Sequence, residues 1–349
     1  MATQYIERFS SVSQVPSNLG SSNHGAAGIG VVGDYVYVNG ARLGEVVYGD
    51  HFYLSQYSGS DGNDGKSFNN PYATWTKALA NVTRGSVLHV YGWLEAAAGG
   101  EVTLTSTPDV TVIGHGTRTR PGRDTNNEEL GPKGGSAEMT SNASATAPTL
   151  TVRSQGWRFI NMTFDGHASY PIIRLERNAD GETAVTGYNA GHAEFINCTF
   201  VGPSTYGIQD SGGNVNIGIY GCNFYGFSTT GNIAIGGIVG AGIGFREMWE
   251  IVGNRFHSNL TDINLSLSGA NITHNHFKLI SNTTGATVTN TVAINTSPDA
   301  AGRNNWIALN HMHAAQNHNG VNARFVPGTN DMFAENYWSD IAEYGEPAS

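Results

Sequence analysis

Cysteine is nearly missing from this chain, with 2 in 349 residues, and that excludes a small disulfide-stapled scaffold. Charge is scarce as well: Asp, Glu, Lys and Arg make up 13% of the chain, and 18 basic against 28 acidic residues leave a net charge of −10. So few basic residues argue against a nucleic-acid binder, which needs them to displace counterions. They argue equally against electrostatic attachment to anionic lipid. There is no run of 18 apolar residues; the nearest approach, Asn232 to Phe245, is short and Gly-rich, so no membrane span is expected. The first twenty residues hold no basic segment leading into an apolar one, so no secretory leader is expected and synthesis in the cytoplasm follows. The Ala, Glu, Lys and Leu that a helical bundle requires are also too few.

Glycine and asparagine stand in their place. The chain has 46 Gly and 34 Asn, and usual glycine content is only about 7%. The glycines keep no triplet period, which excludes collagen. Hydrophobic residues at 39%, with 10% aromatic, are enough for a sizeable core. The composition therefore predicts a turn-rich β protein.

One nine-residue pattern recurs to the end of the chain: RFINMTFDG from Arg158, EFINCTFVG from Glu194, GIYGCNFYG from Gly218 and EIVGNRFHS from Glu250. It continues as NITHNHFKL from Asn271, WIALNHMHA from Trp306 and MFAENYWSD from Met332. Aligned, these units give one large apolar column, Phe164, Phe200, Phe224, Phe256, Phe277, Met312 and Trp338, at intervals of 36, 24, 32, 21, 35 and 26 residues. A fixed core with variable spacers predicts the coils of a solenoid with unequal loops. Two residues earlier runs a second column, Met162, Cys198, Cys222, Asn254, Asn275, Asn310 and Asn336. Residues two apart on a strand share a face, so this column is also expected inside. Its asparagines are expected to bond to one another from coil to coil, which removes the penalty of burying an amide.

These columns, an aromatic stack beside an asparagine ladder, resemble the right-handed parallel β-helix family, of pectate-lyase-like and phage-tailspike-like fold. The resemblance spans about residues 53–338. It implies an all-β, single-stranded right-handed parallel β-helix over 51–349, of roughly nine to ten coils. A capping helix is expected near 72–80, with Ala73, Trp75 and Leu79 on its apolar side, covering the open end of the solenoid. The segment 118–148 reads as a long polar excursion from one coil. Residues 1–50 read as a β-rich attachment arm with a hairpin at Asn39-Gly40.

Function is less defined, because this scaffold hosts many activities. The resemblance implies a phage virion component, tailspike- or fibre-like or capsid-decorating, with host surface polysaccharide as a partner. It also implies a homotrimer that joins other virion proteins through the N-terminal arm; neither nucleic acid nor membrane is expected as a partner. The alternative is a polysaccharide lyase or glycoside hydrolase. Hydrolysis requires two carboxyls roughly 5 to 9.5 Å apart, and counting from the aromatic column sets Arg174 beside Asp210, an ion pair rather than two acids. Asp210, Glu176 and Asp180 are the candidate acids, with Glu182, Glu247 and Asp262 near the same faces. No Asp cluster of the calcium-dependent lyase kind is found within the repeats.

Tyr170 and Tyr206, each six residues past the aromatic column, are expected to stack on one outward edge, as a contact between subunits or as a platform for sugar. Asp61 and Asp64 supply hard oxygens for a cation, though tight turns choose the same residues. His274, His276, His311, His313 and His318 are expected on outer faces, with a metal possible only where rings converge. Cys198 and Cys222 are expected reduced and buried. No cofactor is expected.

Overall fold

A computed structural model describes residues 6–9, 29–32, 35–38, 41–45, 49–95, 102–104, 107–115, 137–141, 144–177, 189–229, 231–238, 246–278, 292–296, 298, 303–313, 325–338 and 343–344. From His51 onward the chain winds as a three-sided parallel β-helix. Each coil contributes a short strand to sheet I, turns a corner into sheet II, then crosses a loop to sheet III. Among the described residues the sheets hold ten, ten and eight strands. Pairing is parallel throughout them except at the last step of sheet II, where Glu343–Tyr344 runs antiparallel to Tyr337–Trp338.

The expected columns form. Phe164, Phe200, Phe224, Phe256 and Phe277 stack along sheet II with centroids 5.3, 4.6, 5.0 and 4.7 Å apart and planes within 14°. Met139 precedes them in register and Met312 follows. On sheet I, Phe159 and Phe195 stack at 5.3 Å and meet the first column edge-on. Offset and edge-to-face rings contribute about 0.5–1.5 kcal/mol per pair beyond the area they bury.

The second column lies inside as expected, but it does not share a strand with the first. The corner into sheet II lies just before it, turned by one left-handed residue: Asn161, Asn197, Gly221, Gly253, His274, Leu309 or Glu335, with φ from 52° to 70°. Gly and Asn take this conformation with least strain, and in the two FIN coils the asparagine occupies the corner while Met162 or Cys198 follows it inside. In the last four coils the asparagine moves inward and builds the ladder. Cys222 N–H donates to Asn254 Oδ1 (2.8 Å), Asn254 N–H to Asn275 Oδ1 (2.9 Å), and Asn275 and Asn310 N–H to the next oxygen in line (3.0 Å each). Each Nδ2 also donates to a carbonyl of the coil behind, those of Ile219, Ile251, Ile272 and Ile307. Cys198 and Cys222 are buried and unbridged, and the Cys222 sulfur accepts from Cys198 N–H at 3.4 Å in the asparagine's place.

The helix is shorter than expected, Trp75–Leu79, capped by Thr74. Tyr72 and Pro71 belong instead to an extended segment, with Tyr72 bridging Leu54. Trp75 and Ala78, rather than Ala73, enter the core. The excursion 118–148 contains a strand the sequence reading missed: Glu138–Thr140 joins sheet II and puts Met139 beneath Phe164. Near the N-terminus, Ile6–Phe9, Ile29–Val32, Tyr35–Val38 and Ala41–Glu45 form a separate four-stranded sheet. Its last two strands pair antiparallel on either side of residues 39 and 40. Among the described residues no helix is long and apolar enough to cross a membrane.

Candidate functional site

The outer face of sheet I carries the constellation richest in chemistry. The first residue of each repeat unit falls there in register: Arg158, Glu194, Gly218, Glu250, Asn271, Trp306 and Met332. Glu194 and Glu250 flank the strand Gly218–Tyr220, two strand spacings or about 9.6 Å apart along the axis. Tyr220, two residues beyond Gly218, lays its ring back over the glycine. A Cβ at Gly218 would come within 2.3 Å of Tyr220 Cε2, so the position admits only glycine while the ring stays there.

Hydrogen bonds lock this arrangement. Tyr220 Oη donates to Glu250 Oε2 at 2.5 Å, and Arg158 Nε donates to Glu194 Oε2 at 2.5 Å. Burial, the bond to Glu250 and the fields of Glu250 and Glu194 push the Tyr220 hydroxyl well above the usual phenol range, so it remains a donor. A cleft of about 430 Å³ opens beside it, lined by Glu194, Tyr220, Glu250 and Asn271. Its wall is the left-handed corner entering sheet I, formed by His192, Asn216, Met248 and Gly269. The Asn271 Oδ1 is shielded and has no hydrogen-bond partner among the described residues. Beyond the cleft, Trp306 and Met332 are 42% and 53% exposed.

The acids anticipated from the sequence sit elsewhere. Asp210 is wholly buried on sheet III, and Arg174 pairs with Gln209 rather than with it. The turn leaving Phe164 is one residue longer than the turn leaving Phe200, which shifts the count by one. Asp210 bonds instead to Arg246 Nε (2.6 Å), to the backbone of Gly213 and Asn214, and to the Asn214 amide. A carboxylate so enclosed braces a turn and has no access to a substrate. Glu176 is held by Arg153 at 2.5 Å and Arg174 at 3.4 Å. Asp180, Glu182 and His318 lie outside the described residues, as does the His313 side chain. Glu247 is exposed at the corner before Glu250. Asp262 is buried, and that raises its carboxyl well above the ordinary range.

Tyr170 and Tyr206 do not stack. Tyr206 leans over Gly236 of the next strand, and the Tyr170 ring lies 6.0 Å from His167. Asp61 spends its carboxylate on Ala73 N–H, Thr74 N–H and the Thr74 hydroxyl, fastening the turn to the helix cap. Asp64 accepts from Lys66 N–H. His276 and His311 stack face to face at 4.8 Å with planes 8° apart, so the rings run parallel rather than converging on a point. Among the described residues no group of three or more His, Cys, Asp or Glu is arranged to hold a metal.

A second pair of acids lies on the outer face of sheet II. Glu138 is in register with Thr163, two residues before Asp165. Burial, and after it the charge of Glu138, push the Asp165 carboxyl up to about 7.

No family model matches this chain, and no curated protein matches its sequence. Solved structures of similar shape include the GH136 lacto-N-biosidase of Eubacterium ramulus, at 11% identity and a TM-score of 0.51, covering 82% of this chain and 56% of that one. The DFA-IIIase of Arthrobacter chlorophenolicus is 9% identical with a TM-score of 0.37, over 82% of this chain and 67% of that one. The tailspike protein of an Acinetobacter phage is 13% identical with a TM-score of 0.32, over 95% of this chain and 60% of that one. The chain spans little over half the length of the lacto-N-biosidase. At such identities the likeness is one of architecture, and that architecture is the parallel β-helix.

Proposed function

We propose that this protein is a glycan-binding β-helix that holds a saccharide along the outer face of sheet I, within a tailspike-like, fibre-like or capsid-decorating part of a phage virion. In this reading residues 1–50 are the attachment arm, residues 51–349 present the binding surface, and the assembled form is a homotrimer. The observation that carries the binding role is the Glu194–Tyr220–Glu250 array beside the cleft. It offers fixed acceptors on both sides of the Tyr220 hydroxyl, with the exposed Trp306 ring two strands beyond Glu250. Polar groups in fixed positions beside an apolar ring are what an oriented sugar requires. A saccharide running along the axis meets a new row of side chains every ~4.8 Å.

Charge narrows the class. Glu194 and Glu250 gather here against Arg158, which is already bonded to Glu194. A polyanionic chain would be repelled, so the reading commits to a neutral or N-acetylated glycan.

Two acids flanking one strand also suggest a second reading, inverting hydrolysis, for which carboxyls stand about 6.5–9.5 Å apart with water between them, close to the ~9.6 Å between their strands. The Tyr220 ring lies in that interval, which is why binding is the better fit. One experiment separates the two. The purified full chain is titrated by calorimetry with neutral, N-acetylated and acidic bacterial surface polysaccharides, and the mixtures are analysed for released oligosaccharides. Binding of an uncharged glycan, weakened about 10-fold by Tyr220→Phe or Glu250→Gln as expected for one hydrogen bond to a charged group, supports the proposal. Affinity unmoved by both variants overturns it, and released oligosaccharides carry the hydrolytic reading instead.

A further inference from the structure

The first three strands of sheet I, His51–Leu54, Val87–Tyr91 and Thr111–His115, carry a constellation separate from the cleft. Three imidazoles join end to end across them. His51 Nδ1 meets His89 Nε2 at 2.9 Å, and His89 Nδ1 meets His115 Nε2 at 2.8 Å. Tyr53 stacks on His89 at 4.8 Å and Tyr91 on His115 at 4.4 Å. Phe68 closes the edge of Tyr91 at 4.9 Å.

Proton counting decides what such a chain tolerates. A neutral imidazole has one N–H and one lone pair, so three neutral rings fit when all donate in the same direction. One added proton is also compatible, since every N–H can still face a lone pair. A second forces a donor against a donor at one of the two junctions, where ring centres are 5.2 or 5.0 Å apart.

Little nearby offsets that charge. Just before the first strand, Asp50 is ion-paired to Lys66 at 3.2 Å, and the Lys66 ammonium lies over the Phe52 ring. Tyr53 and Tyr91 are the other titratable groups against the rings. On the next strand of sheet I, Arg158 is turned to Glu194. Among the described residues no carboxylate bonds to any of the three imidazoles.

We propose that the His51–His89–His115 chain is an acid-sensitive clasp, which binds the first three coils together at neutral pH and parts when a second proton is loaded. The strands it joins are those nearest in sequence to the N-terminal four-stranded sheet, so acid would loosen the solenoid at that end first. The electrostatics agree in sign. Burial, then His115 and His51, lower the His89 pKa from 6.5 to about 4, and burial lowers that of His115. A base held neutral in this way stabilises the fold fully above pH 6.5, and the contribution is lost as pH falls towards 4. For His89 alone this amounts to about a 300-fold change in the folding equilibrium.

The test is amide hydrogen exchange on the full chain from pH 7 to pH 4, expressed as protection factors. The expected result is a fall of at least about 30-fold across residues 51–54 and 87–91 that is not matched in residues 250–257, and that is abolished by His89→Phe. Uniform loss along the solenoid, or an unchanged profile in His89→Phe, overturns the clasp. Should that variant not fold, ¹⁵N imidazole shifts of the wild-type protein decide the matter: titration of His89 well below 6.5 supports the proposal, and titration at or above 6.5 overturns it.

Discussion

Replacing Asn275 probes the interior most directly, because its side chain makes four hydrogen bonds away from solvent. Its oxygen accepts from Asn254 N–H at 2.9 Å and from Asn254 Nδ2 at 3.0 Å; its Nδ2 donates to Ile251 O at 2.8 Å and Asn310 Oδ1 at 3.0 Å. In Asn275→Ala two donors of Asn254 lose their acceptor inside the solenoid. Asn310 Oδ1 keeps the Asn275 backbone N–H, so its loss is partial. At about 1–3 kcal/mol per orphaned donor, and with some local relaxation, the cost should be about 3–5 kcal/mol. Asn275→Asp keeps the acceptor but sets a carboxylate against the Ile251 and Asn310 oxygens. Its folded pKa should therefore rise above the unfolded value, making the variant most stable at low pH and less so as pH increases through that range. Urea melts of both variants between pH 4 and 8 supply the measurement. A cost below about 1 kcal/mol for Asn275→Ala, or a flat pH profile for Asn275→Asp, would refute the claim that the ladder replaces water for these amides.

Gly218→Ala should displace the Tyr220 ring, cost about 1–3 kcal/mol by crowding and abolish glycan binding, seen as a lower denaturation midpoint and a lost calorimetric signal. Asp210→Asn should cost about 3–5 kcal/mol, because the buried Arg246 is left uncompensated, yet leave glycan affinity unchanged; a drop in affinity would return Asp210 to the site. Glu138→Gln should lower the Asp165 pKa from about 7 without restoring an ordinary value, since burial is the larger cause, and ¹³C carboxyl shifts report it. Asp262→Asn, which keeps an acceptor for Asn259 Nδ2, should be at least as stable as the parent at neutral pH and remove a slope in which stability falls as pH rises above 3.8, measured as the difference between two melting curves against pH.

The fold was legible because repetition amplifies weak signals. A single large apolar residue two positions after an Asn, Cys or Met says little, whereas seven such pairs at unequal intervals admit few architectures other than stacked coils. Local geometry just ahead of the columns was not legible. Nothing in RFINMTF or WIALNHM marks Asn161 or Leu309 as the left-handed corner, since the conformation is imposed by the strands on either side of it. Lone strands were equally hidden. Glu138–Thr140 carries one apolar side chain amid polar neighbours, and only its place beneath Phe164 makes it a strand. The Arg174–Asp210 expectation failed for a related reason, because loop length does not repeat even where the strands do.

The cleft was written in the repeat but read from the wrong origin. Counting forward from the aromatic column leads to sheet III, where Asp210 is sealed beneath Arg246. Counting back to the first letter of each unit leads to sheet I and spells Arg, Glu, Gly, Glu, Asn, Trp, Met, with two acids separated by a glycine. Even so, that column alone suggests a pair of catalytic carboxyls with open space between them. The Tyr220 ring, folded back over Gly218 and bonded to Glu250, reverses the inference, and ring orientation is not encoded at any single position. The outer faces of a β-helix are free to vary while its interior is held by stacking, so the residues that define the fold and those that define the function occupy alternate positions of the same short strands. Function on this scaffold therefore has to be read from which side chains lean over which glycine, and the columns that reveal the architecture carry almost none of it.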